Sequence, residues 1–333
     1  MNAMVLHETA TISTLPLRLE EIEKPLPKAD EVLVKVRCCA ICRTDLHVIE
    51  GELPPHKRPI IPGHQAVGVV EQVGKNCRRL RVGERVGIAW LRSTCGKCEY
   101  CTSGRENLCP FALFSGYDAD GGYAEYAVVR EDFAYQIPDG FSDVEAAPLL
   151  CAGIIGYRSL KRANPPANCK LGLFGFGSSA HVVIQIALKR GYEVYVATRG
   201  KSHRELARQL GATWVGESAE QMPELVDSAI IFAPAGELVP SAMEKLKKGG
   251  TLALAGIYMS DVPAMEYEKH LFYERDLRSV TCNTREDGTE LLAEAAEVPI
   301  RPHTTIYPLA DANRALIDLK SDQISGTGVL MMP

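Results

Sequence analysis

A chain of 333 residues exceeds the size at which one hydrophobic core keeps growing, so two domains are expected. Its 46% hydrophobic and 24% charged content excludes disorder and low-complexity scaffolds, and a net charge of -5 offers no broad basic field for nucleic acid. No apolar run is long enough to span a membrane, and the first residues lack a basic segment leading into an apolar one, so a cytoplasmic protein is expected.

Along the chain, short β-like runs come first: Glu31 to Val36, Ala66 to Val73, Arg85 to Ile88 and Gly122 to Val129, separated by Gly, Pro and Asp turn signals. They predict an antiparallel, barrel-like domain. From about Leu149 the texture alternates. Strands are predicted at Lys170 to Phe174, Glu193 to Ala197, Ala229 to Phe232 and Thr251 to Ala255, with helices near Ser179 to Arg190, His203 to Leu210 and Leu238 to Lys247. Such alternation builds a parallel sheet. Ser202 and Glu205 read as a capping box, while Gly211 and Gly249-Gly250 read as helix stops. Gly175-Phe176-Gly177-Ser178-Ser179-Ala180 follows the first of these strands and opens a helix, the context of a dinucleotide fingerprint; a turn needed only for packing is the competing reading. The tail carries a short helix, Ala310 to Asp318, and a strand, Thr327 to Met331, that is able to return to the first domain.

Eleven cysteines, an odd number, argue against a closed disulfide framework. Cys95, Cys98, Cys101 and Cys109 put four soft ligands in one loop and suit a closed, structural tetrahedral zinc site. An iron–sulfur cluster is the rival, but the last gap does not match the bacterial spacing. Cys42, His64 and Cys151 are each one good zinc ligand in a separate segment, and each alone reads more simply as a buried thiol or a satisfied core histidine.

Taken together, Cys42-Arg43-Thr44-Asp45-Leu46-His47, Gly63-His64, the four-cysteine loop, Trp90-Leu91, Ser115-Gly116-Tyr117, Ala147 to Gly153 and Gly175-x-Gly177 resemble the zinc-dependent medium-chain alcohol dehydrogenases over essentially the whole chain. The resemblance is strongest to the yeast and bacterial ethanol-dehydrogenase branch. It implies an α/β protein with a GroES-like antiparallel β-barrel catalytic domain at 1–148 and 290–333, and a Rossmann doubly wound parallel-sheet cofactor domain at 149–289. It further implies two zinc ions per chain, the catalytic one held by Cys42, His64 and Cys151 with an open fourth position. Thr44 and His47 stand where the family passes the substrate proton outward, and Asp45 stands where it orients the ligand histidine. As an alternative, these three simply cap and solvate a helix beginning near Cys42.

Gln65 departs from the family's usual Gly-His-Glu, and the neutral amide is expected to alter turnover without loss of metal. Ile155 and Thr327 are further departures, where relatives often carry Thr and Arg. Arg43 resembles the family residue that reaches the cofactor pyrophosphate, beside Gly175, Gly177, Ser178 and Ser179. At the end of the second strand, where an acid selects NAD, the chain has Thr198 followed by Arg199, Lys201 and Arg204, which favours NADP over NAD. A solvated helix start is the bland reading of those cations.

Trp90 matches a bulky aromatic that narrows the family's pocket toward small primary alcohols and aldehydes, although an ordinary core tryptophan has the same signature. Leu91, Tyr117 and Ile257 are further pocket candidates. The function expected is hydride transfer between a small primary alcohol and NAD(P). A nucleotide-sensing or unusual-substrate reductase with low alcohol turnover is the alternative, on the strength of Gln65, and a zinc-free quinone or enone reductase of the same superfamily would lack both cysteine sites. A homodimer or homotetramer is implied, with an interface formed partly by the cofactor domain's edge strand near Ser279 to Cys282. The remaining cysteines, Cys38, Cys39, Cys77, Cys169 and Cys282, are read as inert thiols.

Overall fold

The computed structural model describes residues 1–297 and 300–333. Two compact units emerge: Met1–Cys151 with Cys282–Ala296 and Pro302–Pro333, and Ala152–Thr281 with the described part of Glu297–Arg301. Positions 298 and 299, which the expected segment 290–333 includes, lie outside the described residues.

The first unit is organised by Glu31–Ala40, a strand buried along most of its length because Val, Leu and Cys dominate it. It pairs antiparallel with Ala66–Val73 and Tyr126–Arg130, and the sheet continues through Arg85–Ile88 to Ala134–Gln136. The tail does return here: Thr327–Met331 pairs antiparallel with the end of Glu31–Ala40, placing Val329 opposite Ala40. Thr304–Pro308 then adds in parallel to Thr327–Met331, so the sheet is mixed at that edge rather than wholly antiparallel as expected. A register shift between Val36 and Cys38 lets both Cys38 and Cys39 turn into the core before the chain reaches Cys42.

The second unit is a six-stranded parallel sheet. Writing its strands in chain order as one to six, their spatial order is 3-2-1-4-5-6: Trp214–Gly216, Glu193–Ala197, Lys170–Phe174, Val226–Ile231, Leu246–Leu254, Asp276–Ser279. That order is the doubly wound arrangement, whose topological switch point lies beside Lys170–Phe174. Helix Ser178–Lys189 follows the first strand and Lys201–Gln209 the second.

Three local expectations are corrected. Helix Lys201–Gln209 is capped by Gly200, not Ser202; the Arg204 amide donates to the Gly200 carbonyl at 3.0 Å, so the first turn closes before Ser202 can cap. Gly249-Gly250 does not follow a helix. It lies within Leu246–Leu254, where Gly249 takes a left-handed φ of 74° and the pairing to Val226–Ile231 slips. The edge strand ends at Ser279, and Cys282 has left-handed φ outside it. Among the described residues, no helix is long and apolar enough to cross a membrane.

Candidate metal centres and nucleotide site

Cys42 ends the run out of Glu31–Ala40 and caps helix Arg43–Glu50 with extended backbone. Its amide donates to Asp45 Oδ2 at 2.8 Å, which folds the Asp45 carboxylate back over the helix start. His64 follows Gly63, whose φ is 96°; a Cβ there would lie 2.3 Å from the Tyr123 ring, so only glycine permits this approach. Cys151 comes from the end of the short 3-10 helix Ala147–Leu150, whose Leu150 packs against Gly87.

These three segments converge. The ligand atoms of Cys42, His64 and Cys151 all lie within 4.8 Å of one another, and Cys42 Sγ is 3.3 Å from His64 Nε2. Asp45 Oδ1 sits 3.1 Å from His64 Nδ1, with both side chains buried, so Nε2 is the nitrogen turned to the sulfurs. Burial works against a charged His64 imidazole, but the charges of Asp45 and Cys42 outweigh it and raise its pKa to about 10. A hydrogen bond from Cys151 chiefly holds the Cys42 thiol well below its ordinary value, while the same bond and burial push Cys151 well above. Two sulfurs and one imidazole, with no fourth protein ligand grouped with them among the described residues, are the donor set of an open zinc site.

Trp90 stands over this centre. Its ring meets His64 edge-on at a centroid distance of 4.9 Å and stacks on Phe114 at 5.1 Å, with Tyr117 5.8 Å away. Phe114 was not singled out in the sequence, although it directly precedes Ser115-Gly116-Tyr117. Leu91 is buried in the core of the first unit, and Ile257 is half exposed in the second. Thr44 is buried, its hydroxyl a minor contributor to holding the Cys42 thiol low, and His47, three residues on, pairs with Glu52. Arg43 is half exposed and ion-paired with Asp322 at 2.9 Å. Gln65 is fully buried, and neither Nε2 nor Oε1 has a partner among the described residues.

The other cysteine group is equally compact. Cys95, Cys98, Cys101 and Cys109 bring their sulfurs within 4.8 Å of one another, with 3.5 Å between Cys98 and Cys101 and 3.9 Å between Cys95 and Cys101. Sulfurs about 2.3 Å from one tetrahedral zinc would be separated by about 3.8 Å. Backbone N–H groups of Lys97 and Cys98 hold the Cys95 thiol down to about 6, as expected of a thiolate prepared for metal.

In the second unit, Gly175 takes φ 87° at the end of Lys170–Phe174, where a Cβ would come 2.8 Å from the Ala233 amide. Gly177 caps helix Ser178–Lys189, and Ser178 and Ser179 form its first turn. Thr198 and Arg199 follow the second strand. Arg204 donates to the carbonyls of Thr198 at 3.2 Å and Arg199 at 2.6 Å and pairs with Glu217 at 2.8 Å, so its guanidinium shapes this loop from behind. Lys201 is exposed near Glu205, and His203 Nδ1 bonds the Phe176 carbonyl, tying the glycine-rich turn to the second helix.

Residues 28–139 match the family model for an alcohol dehydrogenase GroES-like domain, and residues 180–297 match that for a zinc-binding dehydrogenase. The chain is 50% identical to a probable alcohol dehydrogenase, AdhA, of Mycobacterium tuberculosis, covering 100% of this chain and 97% of that one. It is 37% identical to an alcohol dehydrogenase of Geobacillus stearothermophilus, over 95% and 96% of the two chains. Among solved structures, a cinnamyl alcohol dehydrogenase of Sorghum bicolor superposes with a TM-score of 0.90 at 26% identity, covering 99% of this chain and 97% of that one. A cobalt- and zinc-bound thermostable alcohol dehydrogenase of Pyrobaculum aerophilum gives 0.89 at 26% identity, with 99% of each chain covered.

Proposed function

The chain belongs to the zinc-type medium-chain alcohol dehydrogenase family, and on that basis we propose that it oxidises small primary alcohols, or reduces their aldehydes, with two zinc ions and NADP. The observation that carries the reading is the convergence of Cys42, His64 and Cys151, with Asp45 behind the histidine. When bound there, zinc supplies a Lewis acid that polarises the substrate oxygen and eases its deprotonation, and the dinucleotide supplies the hydride acceptor.

Asp45 fixes the His64 ring and its tautomer. Thr44 and His47 carry the substrate proton away, a path needed because the ligand histidine and Asp45 beside them are almost wholly buried. The aromatic group of Trp90, Phe114 and Tyr117 limits bulk next to His64 and so favours short substrates. Arg43, Gly175, Gly177, Ser178 and Ser179 hold the pyrophosphate in this reading. The 2′-phosphate falls to Thr198, Arg199 and Lys201, with Arg204 bracing the loop that carries them. Cys95, Cys98, Cys101 and Cys109 hold the structural zinc, and the cytoplasm, where thiols stay reduced, is the compartment proposed. A homodimer or homotetramer is proposed from the open edge of Asp276–Ser279, to be checked by light scattering.

Reduction of NADP and of NAD, measured by absorbance across a short alcohol series on protein of known zinc content, tests the whole reading. Turnover with about two zincs per chain supports it; full zinc occupancy without turnover on any alcohol or aldehyde favours the sensing alternative. The Michaelis constant for NADP is expected to be roughly tenfold below that for NAD, about 1.4 kcal/mol from the phosphate contacts. Thr198→Asp should reverse the order by repelling the phosphate and accepting from the ribose hydroxyl. Equal constants in the parent protein overturn the NADP assignment.

Gln65→Glu places a carboxylate where a buried amide has no partner among the described residues. Because a nearby negative charge opposes deprotonation of the substrate, activity should begin to rise at a pH higher by on the order of one unit. An unchanged pH profile and turnover would remove any role for Gln65 in tuning the centre.

A further inference from the structure

We propose that Glu52 completes the proton path at its solvent end, as the positioning residue that holds His47 Nδ1 and passes its proton to water. The inference rests on the reading of His47 as the relay base. Helix Arg43–Glu50 ends at Gly51, whose left-handed φ of 85° reverses the chain, and the Leu53 amide then donates to the His47 carbonyl at 2.9 Å. This turn brings Glu52 back over the last helical turn, where its Oε2 pairs with His47 Nδ1. Thr9 closes on the turn from the other side, 3.1 Å from where a Gly51 Cβ would stand.

The two carboxylates flanking Gly51 are used differently. Glu50 accepts the Ile12 amide at 2.8 Å and holds Lys320 with both oxygens at 2.7 Å. Burial disfavours its charge, yet these partners keep the carboxyl below its ordinary range. Glu52 has no basic partner other than His47 among the described residues. Exposure rises outward along the pair, from 13% for the His47 side chain to 44% for Glu52. At the opposite end of the helix, Arg43 pairs with Asp322 and joins the first helical residue to the tail.

A neutral imidazole that donates from Nδ1 presents Nε2 as an acceptor. A proton reaching Nε2 makes an imidazolium beside the carboxylate; the Nδ1 proton then passes to Glu52 Oε2 and from there to water. Only N–H and O–H bonds are made and broken on this route, while the electron pair leaves with the hydride. Glu52 is thus to His47 what a buried carboxylate is to a catalytic histidine elsewhere, except that its half-exposed position also gives the proton an exit.

The test uses zinc-loaded full-length protein as Glu52→Gln, Glu52→Asp and, for reference, His47→Gln. In dilute buffer Glu52→Gln should lower kcat for alcohol oxidation about tenfold, with the Michaelis constants, the NADP dissociation constant measured by fluorescence, and the melting temperature unchanged. Raising the concentration of a small buffer base at constant pH should restore the rate, and Glu52→Asp should retain most of it. Nitrogen-15 shifts of the parent protein should report the Nδ1–H tautomer of His47. Parent rates for Glu52→Gln alongside an impaired His47→Gln overturn the proposal and leave the relay reading standing. Parent rates for both overturn the two together, and an Nε2–H tautomer overturns the proposal alone.

Discussion

Cys42→Ser, or removal of metal by a strong chelator, is expected to lower turnover of a short primary alcohol about a thousandfold while NADP still binds. The physical reason lies in the donor set. Among the described residues, Cys42, His64 and Cys151 are the only candidate ligands brought within 4.8 Å of one another at this centre, so loss of one would leave too few to hold an ion against water. A Lewis acid at the substrate oxygen is worth about 4 kcal/mol of barrier, which converts to roughly three powers of ten in rate. Metal uptake must also displace the protons that His64 and Cys151 hold, so reloading the chelated protein should weaken as the pH falls. Zinc content by atomic absorption, read beside turnover and NADP fluorescence, checks the prediction. Retention of activity in a zinc-depleted preparation would refute the assignment of this centre to catalysis.

Cys109→Ser should instead act on stability, through the loop that carries the four-cysteine group. Cys95, Cys98 and Cys101 are only partly buried, and the loop's short helices, Glu99–Thr102 and Glu106–Leu108, are too brief to be stable alone. Apart from the cysteines, its strongest anchor is Glu106, which accepts from Arg285 Nη2 at 2.6 Å and from the Arg285 amide at 2.8 Å. A structural zinc bound there would therefore supply much of the loop's order. A loss of ~3 kcal/mol would lower the melting temperature by roughly 10 °C in a unit of this size. Scanning calorimetry together with limited proteolysis checks it: cleavage should concentrate between residues 94 and 114, and zinc should fall by about one per chain. Unchanged melting and protease resistance would show that the loop holds without its metal.

Much of the architecture was legible in local pattern. Ala66–Val73, Arg85–Ile88, Lys170–Phe174 and Glu193–Ala197 form where apolar runs bounded by turn residues placed them, because burial on one or both faces writes itself into side-chain periodicity. The four-cysteine loop is legible for a related reason, since all four thiols lie within one short stretch of chain and spacing stands in for distance. Other features depended on contacts the sequence does not encode locally. Ser202 has the residue type of a cap, yet the Gly200 carbonyl closes the helix first. Gly249-Gly250 has the composition of a helix stop, yet it lies inside Leu246–Leu254, at the shift in its pairing to Val226–Ile231, a place that only the neighbouring strand defines.

By itself, then, the sequence determined the two textures, the glycine-rich turn and the presence of seven side chains of the metal-ligand type, all properties carried by short segments. Only the tertiary structure decided that Cys42, His64 and Cys151 meet, that Asp45 lies behind His64 and Trp90 against it, and that Arg204 turns inward to brace its own loop. It also decided that Glu52 folds back onto His47, because a left-handed residue at Gly51 sets a direction that no residue type states. Ligands from separate segments come together through the packing of the strands and turns that carry them, and that packing is a property of the whole first unit rather than of any one segment.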